Sequence, residues 1–486
     1  MLNRRNLIKI GAVGGAVALL PLERVVAEAT AKGPAGAGVT PLGDPAPAAT
    51  FAHAMPIPRV LRPTSRTASR DVYEIHMKQS QHEIVKGLQT TLKTYDGSFP
   101  GPTIKATSGR EVLIRQFNDL AVDTSVHLHG GHTPSASDGL PMATIAPGTS
   151  REYLYPNRQV AASLWYHDHA HHVEVGNVFQ GLHGMYHISD RDECRLPLPR
   201  GQYDVPLMIR DARIETDGSL VQAFPQFCNN MLVNGKERPY FQVAARRYRF
   251  RLYNVSINRH VTLRLADGSE FQQIASDAGL LEHPVTINEI TLAGAERAEV
   301  VVDFSRYDVG DSIVLQNTAA LDIEKAEVLR FDIVREAEDP SRVPHRLAYL
   351  PPVPKKFDAE RNFTLNLYPK PVINGQQYDP ARVDTEVKLG TTELWTITNG
   401  DTPAPAPNFH LHHSFHIHLV PFRVVERNGK PVAPGEQGLK DTVIIAPGDT
   451  VKVAIRWEGY PGEYVYHCHQ LSHASFGQMA RLDVKA

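Results

Sequence analysis

Cysteine is nearly absent, with three residues in a chain of 486. So few thiols cannot staple a protein of this length, so apolar cores must hold it together. A surplus of one charge is missing too: 51 Lys and Arg stand against 53 Asp and Glu, with no long basic run. That excludes the concentrated positive charge on which nucleic-acid and anionic-membrane partners depend. The apolar run Ile10 to Leu20 is shorter than the roughly 20 residues a membrane-spanning helix needs, so no membrane insertion is expected. Methionine is scarce at 8 residues. Histidine is not: there are 23, and histidine is the commonest metal ligand. Hydrophobic residues make up 42% and charged ones 21%, the balance of a globular chain. At roughly 100–200 residues per domain, the length suits two to four domains.

Near the amino terminus, Asn3-Arg4-Arg5-Asn6-Leu7-Ile8-Lys9 precedes the apolar run, and Ala27-Glu28-Ala29 offers a small-residue cleavage site. This predicts a twin-arginine-type signal over 1–29 and a periplasmic or extracellular destination. Residues 30–58 are rich in Ala, Pro and Gly and predict a flexible spacer, placed within 30–69. Beyond it come short β-type runs such as Glu299-Val300-Val301-Val302-Asp303-Phe304, punctuated by turns such as Ala446-Pro447-Gly448-Asp449. The pattern predicts an all-β chain of sandwiches. Three segments share one shape, a strand closing on Asn, at 109–118, 246–254 and 391–399, about 140 residues apart. That repeat implies three copies of one domain type, at 70–197, 198–340 and 361–486, with a Pro-rich linker over 341–360.

Four clusters absorb most of the histidines: His127-Leu128-His129-Gly130, Trp165-Tyr166-His167-Asp168-His169, His413-Ser414-Phe415-His416-Ile417-His418, and His467-Cys468-His469 with His473. The first two fall in the first repeat and the last two in the third. On a strand, successive side chains point to opposite faces, so Cys468 faces away from His467 and His469. One strand then supplies a thiolate to one metal centre and two imidazoles to another, joined by a covalent path one residue long. A His₂Cys set with a weak axial ligand is the blue-copper electron-transfer arrangement, and His413 and His473 can complete it. The other eight histidines pair as H-x-H with both rings on one face. Eight neutral imidazoles without carboxylates suit copper better than Mg²⁺ or Ca²⁺, and a tetrahedral zinc site needs only four ligands.

In order, spacing and placement, these clusters resemble the copper motifs of the multicopper oxidases over about residues 70–486. His127-Leu128-His129-Gly130-Gly131, Ser137-Asp138-Gly139-Leu140-Pro141 and Trp165-Tyr166-His167-Asp168-His169-Ala170 look most like the branch of bacterial spore-coat laccase, bilirubin oxidase and phenoxazinone synthase. The resemblance implies three cupredoxin-like Greek-key β-sandwich domains and four copper ions. By that likeness His413, Cys468 and His473 would hold type 1 copper, and His127 and His416 type 2. His129, His167 and His469 would hold one type 3 copper, and His169, His418 and His467 the other. A small aromatic reductant would give four electrons in turn, and O₂ would leave as two waters. The middle domain would serve as a spacer and a wall for the substrate site. No oligomeric state is implied.

The sequence departs from the branch in two places. The tenth residue after the cysteine, usually an axial methionine, is Gln478, with Met479 one place on. Strand phase favours Gln478, and an amide oxygen would lower the type 1 potential. The branch's His-Glu-Asp stretch reads His473-Ala474-Ser475. With that carboxylate gone, Asp138 is the candidate proton relay, against the competing reading of a turn-forming Asp-Gly. His171, His172, His410 and His412 are unassigned, and solvated loops account for them. In an exported protein Cys194 and Cys228 are expected to pair between the first two domains, with two free thiols as the alternative. The function implied is laccase-like oxidation of phenols or aromatic amines. Its rivals are a cuprous-ion oxidase, an oxidative-coupling enzyme of natural-product biosynthesis, and a scaffold protein that has lost its copper.

Overall fold

The computed structural model describes residues 42–46, 50–319, 326–402 and 411–486, and the segment 1–29 expected to direct export lies outside them. The chain divides into Met1–Asp44 and Pro45–Ala486, and all the described strands belong to the second. Six sheets form three pairs along the chain, each closed around its own apolar core. In the first pair, a sheet built on Arg70–Glu83, Glu111–Asn118 and Ser150–Tyr155 faces one built on Val126–His129, Ala162–Asp168, His183–Ser189 and Gly101–Thr107. Tyr73, Ile75 and Ile114 from one sheet and Leu128, Leu164 and Tyr186 from the other share that core. Alternation decides these faces: Glu111–Asn118 buries every second residue, as period-two sequence requires.

The repeated strand-plus-Asn segments occupy one position in all three pairs. Glu111–Asn118, Arg247–Asn254 and Thr392–Asn399 each run parallel to the first long strand of their module, a Greek-key crossover, and antiparallel to a later one. The closing asparagines explain why the repeat ends where it does. Asn118 donates through Nδ2 to the carbonyls of Val122 and Ile145 and accepts from Leu120 N–H. Asn254 does the same with Arg259, Leu292 and Ser256, and Asn399 with Leu411, Ile445 and Asp401. All three are buried, so each amide satisfies loop backbone that water cannot reach.

Two expectations are corrected. Among the described residues, the spacer at 45–46 and from 50 onward is docked, not flexible. Ala46, Phe51 and Met55 donate backbone N–H groups to Ile214, Arg238 and Tyr240, and Met55 is buried in the middle core. Isolated bridges and one apolar anchor suffice where Pro prevents a continuous ladder. The expected disulfide is also absent. Cys194 is exposed on the short helix Arg191–Arg195, whereas Cys228 is buried with its Sγ directed at Ala223 O. Charge joins those two modules instead. Arg249 and Arg251 of the middle module meet Glu193, Asp204 and Glu299, and Glu299 accepts from Ser163 of the first. No described helix is long and apolar enough to cross a membrane.

Candidate metal centres

The histidine strands pair so that their rings converge. Val126–His129 lies antiparallel to Ala162–Asp168 with His127 opposite His167. His413–Ile417 lies beside Gly462–Cys468 with His416 opposite His467 and Phe415 opposite Cys468. Five groups of buried ligand atoms result, each within 4.8 Å of one another: His127, His129 and His416; His129, His167 and His469; His169, His418 and His467; His413, Cys468 and His473; and, with a carboxylate, His127, Asp138 and His418. In four of them, residues from the first module interleave with residues from the third.

Outer partners fix which ring nitrogen is free. Nδ1–H of His127, His167, His416 and His467 donates to the carbonyls of Asp138, Asp168, Asp441 and Cys468 at 2.6–2.9 Å. His418 Nδ1–H donates to Asp138 Oδ2 at 2.6 Å, and His129 Nε2–H to Asp441 Oδ1 at 2.9 Å. Opposite each such bond lies an imidazole lone pair. Nε2 of His127, His167 and His416 and Nδ1 of His129 are buried with no hydrogen-bond partner, and neither nitrogen of His469 has one. Burial drives the pKa of these rings far down, to about 3 for His167 and about 4 for His467, so they are neutral. So many orphaned lone pairs in a dry space are costly unless a cation accepts them.

The distances match such a cation. His467 Nε2 lies 3.3 Å from His169 Nε2 and 3.4 Å from His418 Nε2. Cys468 Sγ is 3.6 Å from Nδ1 of both His413 and His473, which are 3.3 Å apart. Three ligands at metal–nitrogen distances of about 2.0 Å in a plane subtend edges of about 3.5 Å. Cys468 also accepts from Ser414 N–H at 3.4 Å, and without a metal burial pushes its thiol up to about 12. A metal cation would offset the cost of forming the thiolate there.

Gln478 is fully buried. Its Nε2 donates to Asn366 O and Val372 O, its backbone carbonyl accepts from Cys468 N–H, and its Oε1 has no partner. Met479 instead pairs in register with His467. His171 and His172 stack on each other, and His412 lies against His260; neither pair joins a ligand group among the described residues. His410 lies outside those residues.

The middle module is more than a spacer. Its Arg297 uses every guanidinium N–H: Nη1 and Nη2 meet both oxygens of Asp441 at 2.7 and 2.6 Å, and the rest reach the carbonyls of Ser163, Ala295 and Asp277. Asp441 in turn orients His129. Asp277 also pairs with Lys440, which reaches Glu296. The need for glycine at 130 follows from this, because a Cβ there would lie 2.6 Å from Arg297 Nη2. Sequence reasoning missed Arg297, Asp277 and Asp441, since no local motif marks a residue whose role depends on docking.

A Cys–His–His triangle on the strand that also feeds a pool of neutral imidazoles is a donor set suited to copper. The comparisons agree. Family models described as multicopper oxidase match residues 76–193, 210–330 and 349–486. A laccase of Bacillus subtilis (strain 168) is 36% identical over 89% of this chain and 98% of its own. A bilirubin oxidase of Albifimbria verrucaria is 34% identical over 88% of this chain and 80% of its own. Among solved structures, a laccase from Pediococcus acidilactici superposes with a TM-score of 0.82 at 28% identity, covering 93% of this chain and 97% of that one. The chain belongs to the multicopper oxidase family, whose cupredoxin-like all-β sandwiches it shares, and the metal that family implies is copper.

Proposed function

We propose that the protein is a laccase-like oxidase that couples oxidation of phenols or aromatic amines to reduction of O₂ to two waters. The observation that carries this reading is that Cys468, whose Sγ forms a triangle with His413 and His473, is the immediate chain neighbour of His467 and His469 in the other groups. Four coppers are proposed: one in that triangle, one with His127 and His416, one with His129, His167 and His469, and one with His169, His418 and His467. Bound copper would supply one-electron chemistry, taking electrons singly from the reductant and delivering four to O₂. The chain's own part is to hold the lone pairs inward, exclude water, and present one ring edge to the reductant. His473 is 4% exposed and His413 fully buried, so His473 is the edge a substrate approaches. Asp138, bonded to both His127 and His418, would pass protons into the chamber.

Domain limits at 70–197, 198–340 and 361–486 are proposed; the three sheet pairs support three modules, although the strands Ser65–Arg66 and Ala359–Asn366 begin ahead of the first and third limits, and export through Arg4-Arg5 would suit a chain that folds before crossing. The cuprous-ion alternative lacks support: of the described methionines only Met142 is exposed. A decisive test is reconstitution with copper followed by turnover of a dimethoxyphenol, an aminophenol, bilirubin and Cu(I). The expected result is an intense visible Cys–Cu(II) band and O₂ uptake with the phenol. Absence of the band, or turnover of Cu(I) alone, overturns the reading.

We propose that Gln478 would help hold copper beside Cys468, because its anchored Nε2 leaves the buried Oε1 without a hydrogen-bond partner. Gln478→Met should raise the type 1 potential, since a thioether donates to Cu(II) more weakly than an amide oxygen. Redox titration of the visible band checks this, and an unchanged potential removes Gln478 from the coordination.

A further inference from the structure

The structure holds a further buried acid near the histidine strands, one that bonds to none of the ligand rings. Glu174 opens the short helix Glu174–Phe179, which follows directly from the strand carrying His167 and His169; its N–H donates to Ala170 O at 3.0 Å. That helix packs against Leu471–Ser475, the helix that follows His469 and carries His473. Both histidine strands therefore exit into one wedge, and Glu174 lies within it at 2% exposure. Val175, Val178, Phe179, Ile257 and Leu471 close the wedge with an apolar seal. Glu174 Oε2 is buried without a hydrogen-bond partner.

A carboxyl group in such a place costs stability unless something offsets it, and the groups acting on it among the described residues include no cation. From the strand side the charged group acting on it is Asp168, which is like-charged; from the facing helix it meets the Ser475 hydroxyl; and the Ile257 segment adds only apolar atoms. The ring of His473, on that same helix, is turned toward Cys468. Burial outweighs the backbone and Ser475 contacts and pushes the Glu174 pKa up to about 8, so the acid carries its proton at neutral pH. Meanwhile the facing helix reads His473-Ala474-Ser475 and offers no carboxylate. Asp138 serves the face of His127 and His418, while on the His167 and His169 side the Asp168 carboxylate is taken up by Ser125 N–H, Ala170 N–H and Asn177 Nδ2.

We propose that Glu174 is the proton donor for O₂ reduction on the His167, His169 and His469 side of the chamber, standing in from the neighbouring helix for the carboxylate missing at Ala474. Reduction of one O₂ to two waters takes four electrons, supplied by four reductant molecules, and four protons. Glu174 would contribute protons by passing from acid to carboxylate and recovering each one from solvent. This rests on the oxidase reading above.

Glu174→Gln keeps the shape and removes the transferable proton; Glu174→Asp keeps the proton at a shorter reach. In copper-loaded enzyme, anaerobic bleaching of the visible band by a phenol should be unchanged in both. Reoxidation by O₂ should slow by roughly 10²-fold in Glu174→Gln, with partial recovery in Glu174→Asp. The wild-type rate should fall as pH rises through about 8, where the donor becomes carboxylate, and that limb should vanish in Glu174→Gln. A readout independent of turnover is infrared spectroscopy of copper-free protein. A buried carboxylic C=O band should disappear above that pH in wild type and be missing from Glu174→Gln throughout. Unchanged reoxidation in Glu174→Gln overturns the proposal, as does equal loss of copper in both variants, which would mark a structural role. If wild type itself shows no phenol bleaching, it is the oxidase reading that fails.

Discussion

Asp138→Asn should lower steady-state turnover of a phenolic substrate roughly 10- to 100-fold, the usual cost of removing an outer partner of metal-binding histidines. The substitution is clean because the residue has two separable roles. Its backbone carbonyl accepts from His127 Nδ1, and its carboxylate accepts from His418 Nδ1, both at 2.6 Å. It also sits in a turn: Gly139 has φ +75°, and a Cβ there would lie 2.1 Å from Val126 O. Asn preserves the turn and the backbone contact and changes only the carboxylate. Oδ1, buried without a partner, is the atom from which a proton can be handed on. If Asp138 relays protons, turnover falls while copper content and the visible band stay, and the pH–rate profile changes shape. Turnover and pH profile that match wild type would leave only the Asp-Gly turn reading.

The second large effect is expected at Arg297, where Arg297→Met should destabilise the protein by about 3–5 kcal/mol, the cost of leaving a buried carboxylate unpaired. The guanidinium is fully buried with all its N–H groups used, and Asp441 and Asp277 both depend on it. Methionine matches the volume but removes the charge. Because Asp441 positions His129, the variant should also lose metal from the sites that His129 serves and keep the Cys468 site, whose partners lie elsewhere. Denaturant midpoints of copper-free protein, with spectroscopic copper counts of the loaded form, test both halves. An unchanged midpoint would mean that the network is decorative.

The sequence displayed the ligands and hid their supports. H-x-H on a strand is a local pattern, so the shared face of each histidine pair and the opposed face of Cys468 follow from period two, whereas the sorting of those histidines into separate groups came from the family resemblance. The repeated Asn was equally visible, though its reason, a buried amide gripping three backbone groups, appears only once loops are folded over it. Arg297, Asp441 and Glu174 had no such signal, because each gains meaning from segments far away in the chain. The disulfide expectation failed for a related cause. Counting leftover thiols says nothing about where they land, and Cys194 faces solvent while Cys228 is sealed beneath a turn.

The split origin of the histidines has a consequence for biogenesis. His418 meets Asp138 across 280 residues of chain, and His129 meets Asp441 across 312. Neither half of the larger centre exists in a nascent or truncated chain, because closing so long a loop must come late in folding. Metal that binds only the finished form stabilises it by mass action and has little hold on partial ones. Copper uptake in this protein would therefore act as a completeness checkpoint, retaining metal only when both ends of the chain have been made and have found each other.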